Sequence, residues 1–290
     1  MLVLGAQVLL GFQYQAMFYP GFARLPEGAR WANFAALLLD VLILALLLAP
    51  APFHRVAENG DNSSRLKHFA AFMIAMALPL IAISLGLDVA LISARHVGVA
   101  VSVSLAGGTI LAGLALWVGM GILNRHQSPA RRSERESSSL NEKIETLLTE
   151  ARVILPGVQA LLGFQFAAML TDKFDTLPQA LRLVHLGSLL LIALAAILLI
   201  APAAYHRLAA DGTAREDVDR FGARAVMASL LALAFGLSGD LYVVAQMQLE
   251  SIPWSFAVAG GAILLFAGLW AAVPLAARKR TPRDSDGVLG

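Results

Sequence analysis

The sequence predicts an all-α, polytopic membrane protein. It has eight transmembrane helices as two parallel four-helix repeats, with an amphipathic helix on the cytoplasmic side between them. Three observations predict this. Hydrophobic residues form 58% of the chain and charged residues 14%, against about 45–50% and about 25% in soluble domains. Apolar runs near twenty residues, the length that crosses ~30 Å of hydrocarbon, recur along the whole chain. The chain also repeats itself at an offset of 152 residues.

The spans read as 2–19, 31–50, 69–93, 97–123, 153–171, 182–203, 222–247 and 254–277. Helices are expected because a backbone in lipid must satisfy its own hydrogen bonds. The first span has no basic n-region before it and no small-residue cleavage site after it, so it reads as a membrane helix rather than a cleaved leader. The second and sixth spans run into APAPFHR (49–55) and APAAYHR (201–207). Proline lacks the amide hydrogen that continues a helix, so both spans are expected to stop there. Phe53 and Tyr205 then fall at the membrane surface, with His54, Arg55, His206 and Arg207 as cytoplasmic interface anchors.

The longest internal polar stretch, 124–152, ends in SSSLNEKIETLLTEAR. Ser139 with Glu142 three residues later makes a capping box. Leu140, Ile144, Leu147, Leu148 and Ala151 then share one helix face, which predicts an amphipathic helix in the interface or against helix ends. The chain thus divides into a first repeat (1–123), a linker with this helix (124–152), a second repeat (153–277) and a polar tail (278–290).

Charge sets the orientation. The loops at 51–68, 124–152 and 204–224, with the tail, carry 17 of the 22 Lys and Arg residues. The other side carries 5, namely Arg24, Arg30, Arg95, Lys173 and Arg182. The positive-inside rule places both termini in the cytoplasm, and a bacterial inner membrane is the expected location. These basic residues crowd at membrane edges, so the expected partner is the lipid bilayer and not nucleic acid, despite a pI near 9.1. The absence of cysteine excludes disulfides and thiolate metal sites.

At the 152-residue offset, GAQVLLGFQYQAMF (5–18) meets GVQALLGFQFAAML (157–170), and residues 5–60 share 26 identities in 56 positions. Lipid solubility explains shared leucines but not the paired Pro, His, Arg, Gln and Gly residues. Asp88 meets Asp240, and after one inserted residue GGTILAGLALW (107–117) meets GGAILLFAGLW (260–270). Each copy has an even number of spans, so both begin on the same side and the repeats are parallel rather than inverted.

LNEKIETLLTEARVILPGVQALLGFQF followed by APAAYHRL resembles a family of small bacterial four-helix membrane proteins of unknown function. The likeness covers about residues 139–247, and 1–123 is a more divergent copy without the L-N-E lead-in. Either that copy has lost its leading helix or the natural start lies upstream of Met1. The resemblance implies the four-helix unit and brings no catalytic residue with it.

Asp40 lies in the middle of the second span, where a carboxylate costs ~2.5–3.5 kcal/mol, and is a candidate proton or ion site. The second copy has Ile192 there. Asp88 and Asp240, near the outer ends of spans three and seven, are further candidates, with a shared interhelical contact as the alternative. Gln7, Gln13, Gln159 and Gln165 are candidates for a polar path or for contacts between helices. Residues six apart are displaced by about 120° around a helix, so neither pair lines one face. Ser104, Gly108 and Ala112, with Ala257 and Gly261, form small-residue ridges that predict close helix packing. A homo-oligomer contact is the wider expectation for these ridges.

GLSG (236–239) is similar to the serine motif of rhomboid-type intramembrane proteases, with His185 toward the same side, but the aligned first-copy segment is SLGL (84–87). No metal-binding or phosphate-loop motif accompanies it. The expectation is no enzyme activity, no cofactor and no metal. Transport of a proton or small ion between the repeats is the leading expectation, and a non-catalytic scaffold or bilayer-associated interaction protein is the alternative. A hydrated crevice reaching Asp40 favours the first, and a dry apolar interface between the halves favours the second.

Overall fold

The computed structural model describes residues 2–61, 63–115, 139–208 and 216–279. The linker up to 138, the end of the fourth expected span and the polar tail from 280 lie outside them. All regular structure among the described residues is helical. The helices are α1 (Leu2–Ala16), α2 (Glu27–Leu48), α3 (Pro50–Val56), α4 (Ser64–Val97), α5 (Val99–Leu114), α6 (Leu140–Met169), α7 (Asp172–Asp175), α8 (Gln179–Leu208), α9 (Glu216–Leu249), α10 (Ile252–Ala267) and α11 (Val273–Lys279). One 3₁₀ turn (Phe22–Arg24) precedes α2, and a π turn (Gly268–Ala272) joins α10 to α11. Among the described residues, six helical stretches are long and apolar enough to cross a membrane, while α1, with 15 residues, and α5, with 16, are shorter.

The internal repeat is visible in the element boundaries. Glu27–Val56 (α2 with α3) recurs as Gln179–Leu208 (α8), and Ser64–Val97 (α4) as Glu216–Leu249 (α9), each displaced by 152 residues. The turns after α4 and α9 correspond too. Gly98 (φ 80°) and Glu250 (φ 49°) both take left-handed backbone, which glycine adopts freely and glutamate does not.

Three expectations need correction. The prolines do not end their helices. α8 runs through Pro202 to Leu208, and α2 passes through Ala49 alone into α3, which begins at Pro50. A proline removes one ladder bond, and the helix survives where neighbours satisfy the freed groups. Pro50 occupies a first-turn position where no donor is needed, and the Leu46 carbonyl it leaves free accepts from the Ala49 N–H at 3.3 Å.

The capping box at Ser139 and Glu142 forms, but the helix it starts is not a separate interfacial one. It continues through Pro156 to Met169 as the single helix α6. Its leading stripe is buried against the second unit, with Ile144 beside Val218 and Leu147 against Gly222.

The small-residue ridges face outward. Ser104, Gly108, Ala112, Ala257 and Gly261 are exposed, and nothing lies within 4 Å of a Cβ built on Gly108 or Gly261. The close approach of α4 to α5 is at Gly86, where a Cβ would sit 2.4 Å from Ile110 Cγ1.

Between the units, α1 packs along α6. Gly157 faces Gln7 and Gly11 faces the Phe164 ring, so the contacts advance in the same sense and the helices run parallel. A Cβ on Gly157 would fall 1.5 Å from Gln7 Oε1, so glycine is what permits this approach. α2–α3 meets α9 in the opposite sense, with Arg55 of α3 near Asp219 at one end and Leu37 of α2 near Leu241 at the other. The two copies are not buried alike. The most apolar stretches of α2–α3 and of α9 are 67% buried, against 33% for α8 and 28% for α4, their counterparts. Strict two-fold symmetry would bury counterparts equally, so α2 and α9 hold the centre and α4 and α8 the flanks.

Candidate functional site: a buried polar network around α1

Consecutive residues of α1 reach into different units. Gln13 turns into its own unit, where its amide donates to Asp88 Oδ1 at 2.9 Å and to Ser84 Oγ at 3.3 Å. Ser84 Oγ donates in turn to Asp40 Oδ1 at 2.7 Å. Asp40 is fully buried, and its Oδ2 has no partner among the described residues. This is a continuous chain from Asp40 through Ser84 and Gln13 to Asp88.

The second unit repeats the central bond and changes what surrounds it. The Gln165 amide donates to Asp240 Oδ2, as Gln13 does to Asp88, from the equivalent helix. Asn33 donates to the Gln13 carbonyl at 3.4 Å, and its counterpart His185 places Nε2 3.2 Å from the Gln165 carbonyl. The sequence offset thus preserves a three-residue arrangement on the first, second and third helices of each unit.

His185 adds what Asn33 cannot. Its Nε2 faces a carbonyl, which only accepts, so Nε2 carries a hydrogen. Its Nδ1 lies 2.6 Å from the Tyr14 hydroxyl and 3.1 Å from Asp240 Oδ1. The Tyr14 hydroxyl can donate to a bare Nδ1, and a protonated Nδ1 can donate to Asp240 Oδ1, so the cluster holds three groups in contact that are able to exchange protons. Tyr14 comes from the first unit and stacks on the imidazole, with ring centroids 5.6 Å apart, so both units build this cluster. A narrow, mostly apolar cavity where α1, α2, α6 and α9 meet ends on Tyr14, Gln165 and Asp240.

The Asp40–Ser84 pair of the first unit corresponds to Ile192 and Gly236 in the second. A Cβ on Gly236 would lie 2.7 Å from Ile192 Cγ1, so the isoleucine fits because its neighbour is glycine. A small polar pair and a large-with-none apolar pair fill the same volume.

The other candidate residues divide. Gln7 is fully buried against Gly157, and neither amide atom has a partner among the described residues. Gln159 is exposed on the outside of α6. Asp88 and Asp240 stand nine residues before the ends of α4 and α9, or ~14 Å at 1.5 Å per residue.

His54 and Arg55 are buried and turned inward. Glu150 of α6 accepts from His54 Nδ1 at 2.6 Å and from Arg55 at 2.9 and 3.1 Å. His206 is half-buried, and the side chain of Arg207 lies outside the described residues. Ser238 of the GLSG stretch donates to the Ala234 carbonyl of its own helix, while His185 is engaged elsewhere. Tyr14, Ser84 and the role of His185 escaped the reading of the sequence. The offset held one signal, since Asn33 and His185 are paired polar residues in apolar runs.

The family of unknown function DUF6328 matches the chain twice, over residues 1–121 and again over 133–274. No curated protein and no solved structure matches.

Proposed function

The chain belongs to the family of unknown function DUF6328 and carries its unit twice; from that premise we propose that it handles protons within the membrane, as a transport or permeation path between the two units. The observation that carries this reading is the Tyr14–His185–Asp240 cluster, a phenol, an imidazole and a carboxyl in contact at the junction of both units. Intramembrane ionisable groups are rare and tend to mark proton relays. The reading takes a proton as the cargo because the cluster is built of groups that exchange protons. Asp40 and Asp88 form the first unit's branch of the relay, and α1, carrying Gln13 and Tyr14 side by side, links the branches.

In this reading each unit crosses the bilayer four times and the chain eight times. α1 and α5 complete the set, both termini lie in the cytoplasm, and the membrane is the bacterial inner one. The units are parallel, displaced from a strict two-fold by the central placement of α2 and α9.

The second reading, a non-catalytic scaffold, draws on the apolar lining of the cavity between the units and on Asp40's lack of any opening to it. Proteoliposomes with an imposed pH gradient separate the two. The proton reading expects flux above protein-free vesicles that falls to their level in Asp240→Asn, which keeps an acceptor for Gln165. Equal flux with and without protein contradicts it and leaves the scaffold.

A further inference from the structure

At the end of the bundle that carries His54, an open groove of about 390 Å³ runs between α1, α2–α3, α4 and α6. One wall is apolar, with Leu66 and Ala70 on α4 and Val3 at the start of α1. The other wall is the outer face of α6, with Thr146, Thr149 and Val153. Two polar features point to an occupant. His54 lines the groove and is 2% exposed, with Nδ1 held by Glu150, yet its Nε2 has no partner among the described residues. Lys67 places an ammonium at the exposed rim.

The second unit displays what covers the equivalent surface. Residues 152 positions after Leu66 and Ala70 are Val218 and Gly222, and there the leading turns of α6 sit directly on them. Ile144 packs with Val218, and Leu147 presses on Gly222 so closely that a Cβ would meet its Cδ atoms at 2.7 Å. The same pair of positions is roofed by an amphipathic helix in one unit and lines an open groove in the other.

We propose that this groove is the seat of a second amphipathic helix, supplied by a partner protein and similar in chemistry to residues 139–153. Its apolar stripe takes the place over Leu66 and Ala70 that Ile144 and Leu147 take over Val218 and Gly222. Its acidic face supplies a carboxylate to Lys67 and a hydrogen-bonding side chain to His54 Nε2. Such a helix-in-groove contact is read as anchors three and four residues apart.

The probe is a fluorescent peptide with the sequence of residues 138–155, added to the full-length protein in nanodiscs. Saturable binding is expected. Replacing both Ile144→Asp and Leu147→Asp in the peptide should weaken it about tenfold or more. The chain has no cysteine, so a second measurement is clean and does not depend on a disruptive variant. Ala70→Cys in the protein should form a disulfide with a peptide carrying Leu147→Cys, whereas Leu111→Cys, on an exposed face of α5, should not. Absent saturable binding, binding indifferent to the stripe, or cross-linking equal at both cysteines overturns the proposal. So does a tightly held lipid that shields position 70 from the peptide.

Discussion

Asp40 and Ser84 are the residues on which the two units have diverged most sharply in chemistry. Their counterparts Ile192 and Gly236 show that the site tolerates an apolar filling only when both positions change. Asp40→Ile alone should press its branch on Ser84 and lower stability, and adding Ser84→Gly should restore most of the loss. Thermal unfolding of the four proteins of this cycle should give a coupling energy of about 1 kcal/mol or more. Tyr14→Phe removes one hydroxyl from a buried cluster and copies Phe166 of the second unit. It should cost about 1 kcal/mol, the usual net worth of such a bond. The same substitution should also move the His185 Nδ1 resonance, followed by nitrogen NMR, and an unmoved resonance would mean that Tyr14 does not hydrogen-bond the imidazole.

At the scale of elements, the leading half of α6 ties the units together at the His54 end. Glu150 holds both His54 and Arg55, and Lys143 pairs with Asp61 at 2.9 Å. Glu150→Ala strands the buried His54 and leaves Arg55 only its longer contact with Asp219 at 3.6 Å. Breaking such a pair costs about 3–5 kcal/mol when fully buried, so a value near the lower end suits the partly exposed Glu150. Chemical unfolding in detergent measures it. At the α1–α6 crossing, lipid tails are as apolar as leucine, so close packing rather than water exclusion drives association. Gly157→Leu should separate α1 from α6 and with it Tyr14 from His185. Movement of the His185 ring-nitrogen resonances without loss of helix content would identify that separation.

At the scale of the whole molecule, the duplication and the helical membrane architecture were legible in the sequence. Both follow from composition, run length and an offset that pairs Gln, Pro and His residues. The preserved Gln–Asp bond was half legible, because Gln13 pairs with Gln165 and Asp88 with Asp240 in the offset. Which partner each would find depends on how helices cross, and a period of 3.6 carries no record of that. Tyr14 was invisible for the same reason, since opposite Phe166 it reads as a conservative aromatic change. The proline rule failed because it counts only the lost donor, while here the Ala49 N–H reaches the Leu46 carbonyl that Pro50 leaves free. Topology is a prediction at this scale. Single cysteines at Asp61→Cys and Lys173→Cys should react with an impermeant thiol reagent from opposite sides of the membrane. Labelling from one side would discard the eight-span arrangement.

The most direct test of proton handling is flux through reconstituted protein under a pH gradient, compared among wild type, Asp240→Asn, His185→Asn and Asp40→Asn at equal protein content. Proton flux present in the wild type, abolished in both second-unit variants and reduced in Asp40→Asn is the predicted result. Undiminished flux in Asp240→Asn and His185→Asn, or none in the wild type, would contradict the relay and leave the network as structural glue between two copies of one unit.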